Sequence, residues 1–377
     1  MFGTEAIPNI MPFAHGANAI ALQDGRILVT WYCGSYEGSE DQRIAGTVRD
    51  PDGKWQPTRI VVDRFTFAGD EWVPEIGVPV QHPGGEVRLY FWAIPLSNGF
   101  HLISNPCYMR MVGGAGPGAY TAGVTIRYES PVWTREIAAS QWFCSTLGPD
   151  FVAAQPRTFG EERGLTLMGA ALHLRSGRWL LPYDTWGQYR VGKRVRFLVS
   201  DENLAGWESR GDLSALPGCS EGSVVQLASG DLLCYMRRRG FDGNVWRAVS
   251  HDEGRTWSGP VPTNLRNPDA PVDIKVSQTS GRLLITFDDS YQVRCPLCVG
   301  ISSDEGQTFH VRDVESQVGF YPYPKLLQSQ DGLWHLFYSY DYRHIQHTWF
   351  DEAWVEGGRR VIGGPLLSEH EHSFHRT

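Results

Sequence analysis

The octapeptide Ser250-His251-Asp252-Glu253-Gly254-Arg255-Thr256-Trp257 returns 52 residues later (302 − 250) as Ser302-Ser303-Asp304-Glu305-Gly306-Gln307-Thr308-Phe309. The pattern suits a tight hairpin: serine and aspartate can bond turn amides, glycine tolerates a positive φ, and the aromatic packs beneath. A weaker echo, Ser200-Asp201-Glu202 running to Gly206-Trp207, lies 50 residues upstream (250 − 200), and Asp50-Pro51-Asp52-Gly53-Lys54-Trp55 is a worn copy near the start. One four-stranded blade consumes about 40–50 residues, so this period predicts a toroid of small sheets.

Between the turns lie apolar stretches interrupted by a glycine-containing turn: Ala19 to Thr30, Val78 to Trp92, Ala170 to Pro182, Val224 to Met236, Ile274 to Phe287 and Lys325 to Tyr338. Each reads as a hairpin, and six hairpins make six blades. The chain therefore reads as all-β, a single six-bladed β-propeller over residues 1–365 followed by a C-terminal tail, 366–377. Its 42 glycines, 14 tryptophans and 12% aromatics agree, while sustained helical periodicity is scarce. Two segments exceed a minimal blade, Ser97 to Gly123 and Ser140 to Gly164, and read as rim loops that form a lid, a substrate wall or a dimer contact.

A net charge of −8 without a basic block argues against nucleic acid or an anionic membrane surface as the principal partner. The seven cysteines, at 33, 107, 144, 219, 234, 295 and 298, have no framework spacing, and Cys295-Pro296-Leu297-Cys298 lacks a second pair to complete a zinc site. No metal or other cofactor is expected. The N-terminus has no charged region followed by an apolar stretch, and no run approaches the ~20 apolar residues that span a bilayer, so a cytoplasmic location is expected.

With two clear Asp-boxes and a six-blade period, the chain resembles the sialidase (neuraminidase) superfamily, in its BNR-repeat branch, from about His15 to about Trp354. The resemblance implies a retaining exo-glycosidase of the exo-α-sialidase type, acting on a carbohydrate that bears a carboxylate. In that family a tyrosine paired with a glutamate is the nucleophile, three arginines clamp the acid, and an aspartate on a mobile loop is the acid/base. Tyr323, in Tyr323-Pro324-Lys325-Leu326, is similar to the tyrosine of the Tyr-Ser-x-Leu motif, and Glu221, in Cys219-Ser220-Glu221-Gly222-Ser223, stands where the glutamate precedes a hairpin. Arg237 follows Glu221 by 16 residues (237 − 221) and matches the second arginine, and Arg294 precedes Tyr323 by 29 (323 − 294) and matches the third.

The residue types explain one another. A phenol with a pKa near 10 attacks poorly at neutral pH unless a carboxylate within hydrogen-bonding distance takes its proton. A tyrosine suits an anomeric carbon that carries its own carboxylate, where a second anion would be repelled. Arginines supply permanent, planar cations for that acid. Structural roles are also open at this level: Tyr323 can pack between blades with Phe320 and Tyr321, Glu221 can be a solvated turn residue, Arg237 a surface charge, and Arg294 a partner of Asp288 or Asp289.

The first arginine of the family is absent. Its place is taken by His15, in Phe13-Ala14-His15-Gly16, and an imidazole cannot make the same bidentate pair. For the acid/base, Asp41 lies 26 residues after His15 (41 − 15), a spacing like the family's, with Glu37 on the same loop as its competitor and Arg43 as a partial replacement for the missing cation. Trp72 is expected to stack on a sugar ring, and Asp273 to bind a sugar hydroxyl. Asp70, Glu75, Asp184 and Trp186 are weaker candidates of the same kind. Two other readings stay open: a sugar-binding propeller without catalysis, and an acidic-sugar lyase using His15.

Overall fold

A computed structural model describes residues 1–96, 140–153, 155–158, 165–185, 194–213, 218–238, 243–358 and 360–363; the 97–123 insertion, Trp186 and the 366–377 tail lie outside the described residues. Six antiparallel sheets follow one another as the blades of a propeller, each wound outward from an inner strand. Blade 1 comprises Phe13–Ala21, Ile27–Gly34, Arg43–Arg49 and Arg59–Val62. Blade 2 comprises Asp70–Gln81, Val87–Pro95, Gln141–Leu147 and Arg157–Thr158, with Phe65–Phe67 paired to the start of its inner strand. In blade 3 the inner position is split between Leu165–Leu167 and Leu172–His173, followed by Trp179–Thr185, Arg194–Ser200 and Trp207–Asp212.

Blade 4 runs Cys219–Gln226, Leu232–Arg238, Asn244–Ser250 and Val261–Arg266. Blade 5 runs Asp273–Val276, Leu283–Asp288, Leu297–Ser302 and Thr308–Glu315, with Arg360–Gly363 added at its outer edge. Blade 6 takes Lys325–Gln328, Trp334–Tyr340 and His344–Phe350 from the end of the chain and its outermost strand, Phe2–Ile7, from the beginning. All six expected hairpins are the first two strands of a blade. Ser140 to Gly164 is a correction: Gln141–Leu147 is no rim loop but the third strand of blade 2, in register from Val87↔Leu147 to Ala93↔Gln141. Its alternation explains the placement, since Phe143 and Leu147 pack toward blade 1 while Trp142 and Cys144 pack toward blade 3.

The two octapeptides fold alike, each joining the third and fourth strands of its blade. The Ser250 hydroxyl accepts from the Gly254 amide at 2.8 Å, and Asp252 accepts from the Thr256 amide at 2.8 Å and its hydroxyl at 2.7 Å. Ser302, Asp304, Gly306 and Thr308 repeat this at 2.9, 2.8 and 2.6 Å. Trp257 then stacks on Phe197 of blade 3, with ring centroids 4.5 Å apart, and Phe309 is buried beside Tyr235 of blade 4. Each turn therefore fixes its own hairpin and seals a joint between blades. The one described helix, Glu352–Glu356, has five residues, and no described helix is long and apolar enough to cross a membrane.

The closing strand carries a buried polar chain. Glu5 accepts from the Trp55 indole of blade 1 at 2.8 Å and faces His347 Nδ1 at 3.0 Å; His347 Nε2 meets His335 Nδ1 at 2.8 Å, and His335 Nε2 lies 2.9 Å from the Ser329 hydroxyl. A carboxylate cannot donate, so His347 donates from Nδ1 and accepts at Nε2, which keeps both rings neutral. Burial, with the neighbouring His347 for His335 and Arg49 for His347, lowers both to a pKa of about 3. The unfolded chain binds these protons as pH falls through about 6.5, whereas the folded chain does so near 3. Stability is thus complete above about pH 6.5 and declines below it, by up to about 1.4 kcal/mol per pH unit for each ring. Urea unfolding between about pH 4 and pH 7 should show this slope, and His347→Gln should flatten it.

Candidate active site

Propeller topology assembles the site at one face. A blade's inner strand begins, and its second strand ends, on the face opposite to the octapeptide turns. Glu221 lies at the start of the inner strand of blade 4, and Tyr323 precedes that of blade 6. Arg237 ends the second strand of blade 4, and Arg294 follows the second strand of blade 5. Residues far apart in sequence converge because each occupies a blade terminus on the same side.

Tyr323 donates from Oη to Glu221 Oε1 at 3.0 Å. Arg237 Nη2 donates to the same oxygen, its Nη1 to the Asp269 carbonyl at 3.0 Å, and its Nε lies 3.5 Å from Asp269 Oδ1. Glu221 and Arg237 are 4% and 2% exposed, so the ion pair is sealed beneath the site. Burial opposes the charge of Arg237, but Glu221 and Asp269 outweigh it and hold its pKa above the ordinary arginine value. Arg294 is partly exposed; Nη2 donates to the Asp269 carbonyl at 3.1 Å, and the guanidinium covers the Phe320 ring at 5.2 Å. Asp289, an alternative partner considered for Arg294, accepts from Arg266 at 2.7 Å and from Arg360.

The backbone is strained where it presents these groups. Glu221, Asp269 and Tyr323 all have left-handed φ, at 57°, 57° and 58°. Such values cost a side-chain-bearing residue about 1 kcal/mol or more and persist only where neighbours enforce them. Glu221 sits in a register shift between Ser220 and Ser223, and its amide, lost to the ladder, donates to both carboxylate oxygens of Asp184 in blade 3, at 2.9 and 3.1 Å. Asn267 holds Asp269 by bonding the Ala270 amide and carbonyl, both at 2.8 Å.

Blade 1 has the same irregularity at His15 and Asn18, where Gly16 takes φ 63° and any Cβ would lie 2.7 Å from the Tyr32 ring. His15 is thereby turned into an aromatic box, with centroids 4.5 Å from Tyr323, 4.6 Å from Tyr342 and 5.4 Å from Tyr32, and with Nδ1 2.7 Å from the Ser339 hydroxyl. Burial, then Arg294 and Arg237, lower its pKa well below 6.5, so the imidazole is neutral. Burial and then Glu221 raise Tyr323 well above 10, so the phenol ionises only as its proton is taken.

The other expected residues divide. Glu37 accepts from Tyr32 Oη at 3.2 Å, and its charge is among those that act on Tyr323. Asp41 instead caps its own loop, accepting from the Ser35 amide at 3.0 Å and the Ser35 hydroxyl at 2.6 Å. Burial raises its pKa, but hydrogen bonds from Ser35 and Ser39 outweigh this and lower it. Arg43 pairs with Asp63 and bonds the Gln42 carbonyl at 3.1 Å. Trp72 is buried against Phe143 at 5.2 Å and donates to the Phe67 carbonyl at 3.0 Å, so it joins the core between blades 1 and 2. Asp273, fully buried, accepts from the Ser223 hydroxyl at 2.7 Å, Lys275 at 3.1 Å and the Leu326 amide at 2.8 Å, stapling the inner strands of blades 4, 5 and 6.

The sequence pattern of the BNR repeat-like domain matches residues 124–336, more than half of the chain. The chain belongs to this family. Among solved structures it is similar to the Hadza microbial sialidase Hz136 (TM-score 0.69, 16% identity, covering 91% of this chain and 66% of that one). It is similar also to the NanB sialidase of Streptococcus pneumoniae (0.67, 13%, 91% and 69%) and to the intramolecular trans-sialidase of Ruminococcus gnavus (0.66, 12%, 92% and 96%). At these identities the likeness establishes the fold. Among curated proteins no sequence match is found.

One residue of this BNR repeat-like site escaped the motif reading, and another, Asp184, was expected to face a sugar but accepts from the Glu221 amide. Asp269 contributes a carbonyl, which any residue carries, although Asn267-Pro268-Asp269 does signal a turn. Asp184 serves a backbone amide freed by an irregularity that no residue pattern announces. Replacing it strands that buried amide, so Asp184→Ala should cost about 1–3 kcal/mol in urea unfolding. Glu221→Gln removes the negative charge beside Tyr323 and leaves Arg237 to act on it, so Tyr323 should ionise at lower pH than in the wild type. Near-ultraviolet tyrosinate absorbance, taken as the difference from Tyr323→Phe, would report the change.

Proposed function

We propose that the protein is a retaining glycoside hydrolase of sialidase type, acting on a terminal sugar that carries a carboxylate. One observation carries this reading: the phenol of Tyr323 donates to the buried carboxylate of Glu221 at 3.0 Å. As Tyr323 Oη bonds to the anomeric carbon and the glycosidic bond breaks, its proton passes to Glu221. Glu37 supplies the proton that the leaving oxygen needs, then takes one from the water that cleaves the tyrosyl-sugar bond. Arg294, partly exposed and oriented by Phe320 and Asp269, holds the substrate acid. Arg237 keeps Glu221 ionised from below. In this reading Asp41 shapes the loop that presents Glu37.

A second reading rests on His15. A neutral imidazole against the Tyr323 ring can remove the proton α to a uronic acid carboxylate, while Tyr323 protonates the departing oxygen and a carbon–carbon double bond forms. That reaction leaves an unsaturated product; hydrolysis does not.

The test is turnover of fluorogenic glycosides of sialic and uronic acids by the wild type, Tyr323→Phe, Glu37→Gln and Asp41→Asn. The expected result is release by the wild type, a loss on the order of 10³-fold or more in Tyr323→Phe, and about 10²–10⁴-fold in Glu37→Gln. Asp41→Asn should fall by less than Glu37→Gln. An unsaturated product that vanishes in His15→Ala would replace the hydrolase with the lyase. Binding without turnover by the wild type would leave a carbohydrate-binding propeller.

A further inference from the structure

The chain uses arginine almost throughout and contains only four lysines, at 54, 193, 275 and 325. Two of these four, Lys275 and Lys325, lie on the inner strands of blades 5 and 6. Lys325 opens the inner strand of blade 6, two residues after Tyr323, and is 6% exposed. Its Nζ donates at 2.9 Å to the carbonyl of Met168, which belongs to blade 3. Blades 3 and 6 stand opposite one another in a ring of six, so this side chain crosses the axis and closes the central channel under the reactive pair. Met168 packs in turn with Phe13, Tyr32, Ile76, Phe320 and Tyr342, the aromatic group into which Tyr323 fits.

We infer that Lys325 is a positioning residue whose ammonium forms the floor of the site and favours the ionised form of Glu221. The charges that face it include Asp273, Lys275 and Glu221, and the groups around Glu221 include Arg237, Tyr323 and, through its amide, Asp184. Asp273, which Lys275 also reaches at 3.1 Å, acts on Lys325 more strongly than Glu221 does, so the ammonium's charge is shared between the two carboxylates. Burial lowers the Lys325 pKa below the ordinary lysine value while Asp273 and Glu221 oppose that shift. A lysine suits the position where an arginine does not: a compact ammonium fits a closed channel, and a planar fork with five donors would leave several unmet.

This inference rests on the Tyr323–Glu221 reading of the site, yet its test needs no turnover. The carboxyl carbons of ¹³C-labelled glutamate would be followed by NMR against pH, with the Glu221 signal assigned through Glu221→Gln. In Lys325→Gln, which keeps a donor for the Met168 carbonyl but carries no charge, Glu221 should take up its proton about one pH unit higher than in the wild type. Lys325→Met should show the same shift with a loss of stability, since the carbonyl is then stranded. If Lys325→Met fails to fold, Lys325→Gln alone decides. Glu221 titrating at the same pH in Lys325→Gln and wild type would overturn the inference and reduce Lys325 to a structural plug. Where an acidic-sugar substrate is turned over, the acid limb of kcat/KM should move with the NMR titration. An absence of turnover would count against the hydrolase and leave the NMR result standing.

Discussion

The arrangement at the mouth of the propeller depends on one carboxylate oxygen shared between a phenol and a guanidinium. Glu221 Oε1 accepts from both Tyr323 and Arg237, and neither donor can be removed without exposing an unbalanced buried charge or an unsatisfied oxygen. A carboxylate buried here alone would carry an uncompensated cost of desolvation. Arg237 prevents this, and its own cost of burial is met by Asp269 as well as Glu221. The strained backbone at Glu221, Asp269 and Tyr323 is the geometric counterpart of that balance, holding three side chains in positions that relaxed strands would not give them.

What could be read beforehand follows the range of the forces involved. The octapeptide turns were legible because their hydrogen bonds close within five residues, from Ser250 to Gly254 and from Asp252 to Thr256. Blade count followed from hairpins, which are also local. Tyr323, Glu221, Arg237 and Arg294 were named from a resemblance to a family's motifs, and the phase of the blades brings positions of this kind to one face. Asp273 and Trp72 also stand near inner-strand entries, but neighbouring blades decide their surroundings: Ser223 and the Leu326 amide claim the carboxylate, and Phe143 buries the indole. The same holds for Asp41 and Glu37, six and two residues from Ser35, where loop capping selected the first and Tyr32 the second.

His15 changes the character of the site more than a missing cation suggests. An arginine there would demand a nearby acid and a polar setting. The imidazole instead has a hydroxyl partner in Ser339 and aromatic walls in Tyr32, Tyr323 and Tyr342. One side of the site is therefore apolar and neutral, while the side formed by Arg294 and Asp269 is charged.

The pairing of Phe2–Ile7 with His344–Phe350 also matters during synthesis. Because the chain is made in order, Phe2–Ile7 finds its neighbour only after the other five blades and most of the sixth exist. Until then it is an unpaired edge, and the inner face of blade 1 lacks the wall that blade 6 supplies. Phe2–Ile7 alternates exposed and half-buried positions and carries Thr4 and Glu5 among its apolar residues, which blunts that edge while it waits. The strand that completes the ring is therefore one that presents polar side chains while it is still unpaired.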